Sequence, residues 1–352
     1  MLPYLAIYLY LATKSIGGSH RISNISSVLL LLILSLFIGF RYEIGVDWDQ
    51  YIEIIDRYKN VPFSNIFTNV EPGYIFLSWL GSNFDNGIYF VNVICAIIFS
   101  AGLISYSRNR EYPWLALLIS FPILIVTVAM GYTRQACAIG IEFFALLEIE
   151  KGRSNRAIIF TLIASTFHIS ILPLLLVFFK NPKKNLFKIK FILPATIIGY
   201  LIYLVIKIKF GDALLSYYAL YIANDYSSMG AFYRIFPTFI ASILFIKNRV
   251  KFQQYFGEIA KLYLKFSYIG ILFSLLIILF PSNSTFIDRF GLYITPLTIF
   301  VFSSITKLKI LKINRLDFKL LMVSVYFAYT FIWLTFAVHA YAWVPYKNFL
   351  FM

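Results

Sequence analysis

Three arginines in this 352-residue chain stand where arginine is hard to accommodate. Arg134 in GYTRQACAIGIEF, Arg234 in GAFYRIFP and Arg289 in FIDRFGLYITP each lie at the end of a long apolar run. A charge in or beside hydrocarbon costs about 2.5–3.5 kcal/mol even on forgiving insertion scales, so it usually has a partner or a task. Arg134 has no acid within one helical turn of it. Glu142 lies two turns further on, and Asp288 adjoins Arg289. Guanidinium suits bidentate binding of phosphate, and one anionic ligand at a membrane surface would account for all three. The plainer reading is that each snorkels to the interface.

Carboxylates and one imidazole could act beside them. In RYEIGVDWDQY, residues 41 to 51, the chain places Arg41, Glu43, Asp47 and Asp49 together, although it holds only 16 acids in all. Asp47 followed by Gln50 resembles a capping box, entered through a tight turn at Gly45. Along the helix it would open, Tyr51, Ile54, Ile55 and Tyr58 share one face and Asp49, Glu53 and Asp56 the other. Such a helix would lie on a membrane surface; a solvated acidic face is the bland account. Glu71-Pro72-Gly73 can likewise be a simple turn. His168 is one of three histidines, with His20 and His339. A lone His in an apolar segment is most often a hydrogen-bonded core residue, although its place at a helix break gives it a second reading. No second His or carboxylate lies at ligand spacing, so no metal site is expected. No phosphate-binding glycine loop, dinucleotide fingerprint or serine-nucleophile motif is present.

What must position these residues is a membrane domain. The chain is 60% hydrophobic and 13% charged, against about 25% charged residues in soluble proteins. Apolar runs predict an all-α polytopic protein with about ten spans. They fall near 2–16, 26–40, 86–106, 113–130, 133–150, 191–207, 232–246, 258–280, 291–305 and 320–339. The first run lacks a basic leader and a small-residue cleavage site, which reads as a retained span. Cys95 and Cys137 lie in apolar segments without a CxxC pattern and read as packing residues. No soluble domain is left over, so residues 1–352 form a single membrane-embedded unit.

The net charge of +15 is scattered through short loops, which fits positive-inside topology and contact with anionic lipid better than nucleic acid. Those loops place Arg108 and Arg110, Lys151 to Arg156, Lys180 to Lys190, Lys247 to Lys251 and Lys307 to Lys319 inside. The acidic segment 41–85 is then outside, as is a second segment, 208–231. Charge parity further requires that residues 157–179 do not cross once. Two half-length pieces of about 16 Å each, meeting near TFHIS, satisfy it and put His168 at the tip of a re-entrant or broken feature. Residues 71–84 are too short to cross twice and read as a half-inserted or interfacial helix.

The order of motifs resembles a known family. Arg41, Gly45, Asp47 and Tyr51 form R-x3-G-x-D-x3-Y; EPGY (Glu71 to Tyr74), RQ (Arg134, Gln135) and FHIS (Phe167 to Ser170) follow. Arg289 before Tyr293, and a closing WVPY (Trp343 to Tyr346), complete a series that is similar to the EpsG/Wzy polysaccharide polymerases. The resemblance implies a fold of the GT-C glycosyltransferase type and a site on the outer face of the bacterial cytoplasmic membrane. There, lipid-linked repeat units would be joined into O-antigen, capsule or exopolysaccharide, with undecaprenyl pyrophosphate as the leaving group and no cofactor. A flippase and a chain-length regulator are the implied protein partners.

That chemistry, set beside the residues singled out above, suggests a role for each. Arg134 and Arg289 would hold the pyrophosphate with Arg234 as a helper, and Arg41, Tyr51, Gln135, Tyr293 and Tyr346 would line the substrate. Asp47, Glu71 and His168 are the candidate bases, and Asp47 could instead be the cap that positions Tyr51. A lipid-linked oligosaccharide flippase, an O-antigen ligase and a membrane acyltransferase are the rival readings.

Overall fold

The computed structural model describes residues 1–17, 21–68, 70–178, 228 and 230–352. His20, the expected span 191–207, the basic stretch 180–190 and nearly all of segment 208–231 lie outside the described residues.

The described chain is helical, with no strand; one antiparallel bridge joins Arg41 to Asn348. Helix α1 (Leu2–Gly17) and α2 (Asn24–Gly39) are followed by α3 (Trp48–Arg57), α4 (Pro72–Gly81) and α5 (Gly87–Arg108). Next come α6 (Pro113–Gly131), α7 (Thr133–Glu150), α8 (Ser154–Ser165) and the short α9 (Leu174–Phe178). Beyond residue 230 run α10 (Ala231–Lys247), α11 (Arg249–Phe256), α12 (Glu258–Leu279), α13 (Ser284–Gly291), α14 (Pro296–Phe302) and α15 (Arg315–Phe336). Local chemistry explains several starts. Ser23 and Asn314 accept the amides of Ser26 and Asp317 as N-caps. Pro72, Pro113 and Pro296 occupy the first helical turn, where a missing N–H costs nothing.

The structure supports an all-helical membrane protein but not a count of ten spans. Among the described residues four helices, α5, α6, α12 and α15, are long and apolar enough to cross, and a fifth span arises if the pair Pro281–Ile294 and Pro296–Phe302, bent by 45°, counts as one. Of the remaining expected spans, 191–207 lies outside the described residues, and the others form helices that are shorter or more charged than these. Helices α1 and α2 have 16 residues each, about 24 Å at 1.5 Å per residue, where the hydrocarbon is about 30 Å thick. Helix α7 carries Arg134, Glu142, Glu148 and Glu150. Its Glu142 is wholly buried, and neither carboxyl oxygen has a hydrogen-bond partner among the described residues.

Two features of the core place the polar residues. Helices α5 and α7 cross in backbone contact, because a Cβ on Gly102 would lie 1.9 Å from the Gly140 carbonyl oxygen and one on Gly140 2.5 Å from Phe99 Cα. Small residues permit this close approach of helices in a membrane. Cys95 and Cys137 are both free and buried at the same pair of helices, as packing residues should be. Gly102→Val is expected to force the helices apart and cost about 2 kcal/mol or more, read as a fall in melting temperature in detergent. An unchanged melt would mean that the crossing is not tight.

The second feature is a pair of helix breaks. Helix α6 widens into π-helical turns over Phe121–Val128, around a proline that has no N–H to give, and Thr127 Oγ1 returns a hydrogen bond to the Pro122 carbonyl at 3.0 Å. Such widened turns are common beside functional sites. The helix then stops at Tyr132 (φ −128°, ψ 65°), and α7 restarts at Thr133 with Arg134 in its first turn. Downstream, α8 ends at Ser165, His168 is extended (φ −154°, ψ 115°), and a single turn spans Ile169–Ile171. The discontinuity expected at TFHIS is present, with His168 in it.

Candidate active site

The EPG turn and the TFHIS break fit each other. The backbone amides of Gly73 and Tyr74, at the start of α4, donate to the Thr166 carbonyl at 2.9 and 3.2 Å. In return the Ile169 amide donates to Glu71 Oε1 at 3.2 Å. Each break thus satisfies backbone groups that the other leaves open at a helix end. Gly73 is needed for the approach, since a Cβ there would fall 2.3 Å from Thr166 Oγ1.

This docking brings Glu71 to His168 and Arg134. Glu71 Oε1 lies 2.7 Å from His168 Nδ1, and Oε2 lies 2.8 Å from an Arg134 guanidinium nitrogen. Glu71 and His168 are buried, whereas 27% of the Arg134 side chain is exposed. A carboxylate only accepts, so the Nδ1 atom of His168 carries the proton and Nε2 keeps a lone pair. That Nε2 is buried and has no partner among the described residues. Burial pushes the Glu71 carboxyl up, but Arg134, His168 and the Ile169 amide outweigh it and pull it down to about 2. Arg134 also lies 5.9 Å from the ring centroids of both Tyr51 and Tyr74.

The sign of the pH effect follows. With its folded value below the free value of 4.5, Glu71 contributes stability above about pH 4.5 and loses it as pH falls toward 2. The melting-temperature gap between wild type and Glu71→Gln is expected to narrow over that window. A gap that stays constant would show that the ionised carboxylate is not what the contacts require.

A second cluster adjoins the first through α7. Gln135 donates to the Arg289 carbonyl and accepts from the Arg289 guanidinium at 3.2 Å. The guanidinium stacks 3.7 Å over the Tyr132 ring and comes within 3.7 Å of Asp47. Burial pushes the Asp47 carboxyl upward, against the pull of Arg289 and Arg134. Burial likewise raises the Tyr51 phenol to about 12, with Asp47 adding to the rise, so Tyr51 keeps its proton. Asp47 opens α3 without a side-chain capping bond, so the expected capping box does not form. The amphipathic pattern does form: Trp48, Tyr51 and Ile55 are buried while Asp49, Glu53 and Asp56 are exposed. The turn before it has Gly45 at φ 103°, with room for no Cβ against the Met130 carbonyl.

Other expected ligand residues have different neighbours. Arg234 is buried and chelated by Asp288, with Nε 3.1 Å from both carboxylate oxygens and a terminal nitrogen 2.6 Å from Oδ2. The acid next to Arg289 in sequence therefore serves Arg234. Arg41 is 1% exposed and donates to the carbonyls of Ile38, Ile44 and Met130 and to the side chains of Thr133 and Asn92. Through these bonds it ties α2, α5, α6 and α7 together, a scaffold position, where a place in the substrate lining was expected. The Tyr346 hydroxyl likewise donates to the Phe37 carbonyl and its ring stacks on Phe37, which makes it part of the scaffold. Tyr293 is buried and its hydroxyl accepts from Ser170 at 3.3 Å, next to the His168 break. Tyr132 and Tyr74 belong to the site although neither was among the expected residues; both lie inside the GYTRQ and EPGY motifs.

Neither curated proteins nor solved structures show a match to the chain. A family model described as the EpsG family matches residues 24–348. The chain therefore belongs to the EpsG family, the family of Wzy-like polysaccharide polymerases.

Proposed function

We propose that the protein joins undecaprenyl-pyrophosphate-linked oligosaccharide repeat units at the outer face of the bacterial cytoplasmic membrane. One observation carries the reading: a buried carboxylate, Glu71, couples an arginine to a histidine that has a free ring nitrogen. An acceptor hydroxyl at His168 Nε2 would give up its proton there as its oxygen bonds to the anomeric carbon of the donor glycan. Glu71, accepting from Nδ1–H, stabilises the imidazolium that forms. The glycosidic bond to the lipid pyrophosphate breaks with its electron pair leaving on the phosphate. Arg134 and Arg289, fixed before the reaction by Glu71 and Gln135, are placed to neutralise that charge. Asp47, Tyr51 and Tyr132 complete the wall between the two arginines. In this reading segments 41–85 and 208–231 face outward, about ten passes complete the fold, and a flippase supplies the substrate.

The glycan length pattern of a deletion strain tests it. Loss of a polymerase leaves single repeat units that still reach the surface acceptor. Long chains retained on the lipid carrier would point to a ligase instead, and substrate trapped inside to a flippase.

A further inference from the structure

Tyr132 is the one residue between α6 and α7, and it is held from both sides. Its amide donates to the Val128 carbonyl at 2.8 Å, closing α6, and its carbonyl accepts from the Ala136 amide at 2.8 Å, opening α7. Next to it, a Cβ on Gly131 would lie 2.9 Å from the Trp343 ring, and the Trp343 indole donates to the Val126 carbonyl at 3.0 Å. The closing WVPY segment thus backs the break and gives the half-buried Tyr132 ring a fixed place. The Arg289 guanidinium carbon lies 3.7 Å from the ring centroid and that of Arg234 5.9 Å, both within the range of cation–π attraction. The Tyr132 hydroxyl makes no hydrogen bond with the described residues, so what the site takes from this side chain is its ring.

We propose that Tyr132 is the positioning residue for Arg289 and that it acts through its ring. The inference rests on the reading above, in which Arg289 meets the departing pyrophosphate. A ring stacked on a guanidinium occupies its flat face and leaves its N–H edge, where phosphate oxygens bind. A carboxylate does the reverse: it takes the edge and cancels the charge, as Asp288 does to Arg234. Gln135 accepts one N–H of Arg289 at 3.2 Å, and Asp47 stands off at 3.7 Å. Neither fixes the plane of the guanidinium as the ring does. Because Arg134 lies in the first turn of α7, the same break sets both arginines of the proposed site.

The test uses the purified full-length protein in detergent and its affinity for farnesyl pyrophosphate, a short-chain lipid pyrophosphate. Tyr132→Leu is expected to bind it about tenfold more weakly, and Tyr132→Phe to recover most of that loss. Tyr132→Met, whose flexible chain fills the space without a ring, should behave as the leucine variant does and guards against a misfolded one. Arg289→Ala and the Tyr132→Leu, Arg289→Ala double variant should bind alike, since a residue that acts only through Arg289 has nothing left to place. Losses that multiply in the double variant, or a phenylalanine variant as weak as the leucine one, would overturn the proposal. Binding weakened by Arg289→Ala but not by Tyr132→Leu would overturn it too, with the polymerase reading intact. A wild-type protein that does not bind the probe would remove the pyrophosphate role of Arg289 and the proposal with it.

Discussion

His168→Ala is expected to give a protein that inserts and folds yet leaves single repeat units where wild type makes long chains. Removing a general base costs about 10²–10⁴ in rate, and a polymer that needs many successive joins disappears well before the upper end of that range. Glu71→Gln should do nearly the same by a different route. It keeps the shape but removes the charge that orients His168 Nδ1–H and holds Arg134. The two variants separate two mechanisms. If Glu71 itself took the acceptor proton, His168→Ala would retain much of its activity while Glu71→Gln would not. If imidazole is the base, His168→Ala is at least as damaging. Arg134→Ala should also stop polymerisation, by leaving the departing pyrophosphate without its cation. Glycan ladders from cells with matched protein levels distinguish these outcomes, and normal long chains in a stable His168→Ala protein would sink the assignment.

The sequence made the site legible where a residue conflicts with its surroundings. Arg134 in an apolar run and His168 at a charge-parity break both stood out, and both are in the cluster. What joins them did not show: Glu71 is 63 residues from Arg134 and 97 from His168, and its sequence context reads equally as a turn. Local adjacency misled in the other direction. Asp288 touches Arg289 in sequence, yet the helical geometry of α13 turns it toward Arg234. The capping box at Asp47 was a local rule that tertiary contacts overrode, because Asp47 turns toward Arg289. The fold class followed from composition alone. The number of spans did not, since a hydropathy run does not show whether a 16-residue helix crosses or stops short.

Arg41 carries the clearest separation of scaffold from chemistry, and Arg41→Ala is expected to lower the amount of folded protein sharply. Its guanidinium supplies five acceptors from α2, the 41–45 turn, α6, α7 and Asn92 of α5. Each buried acceptor left unpaired costs about 1–3 kcal/mol, so the loss is comparable to the whole margin of an ordinary domain, about 5–15 kcal/mol. Arg41→Lys should rescue little, because one ammonium with three donors cannot reach acceptors spread around a planar fork. One of those acceptors is Thr133, the residue before Arg134, so a partly folded variant would also misplace the site. Arg134→Ala is expected to behave otherwise: Glu71 keeps His168 and the Ile169 amide, so the melt falls by less than in Arg41→Ala while the product falls to single repeat units. An Arg41→Ala protein that melts as wild type does and still fails to polymerise would return Arg41 to the substrate and remove it from the scaffold.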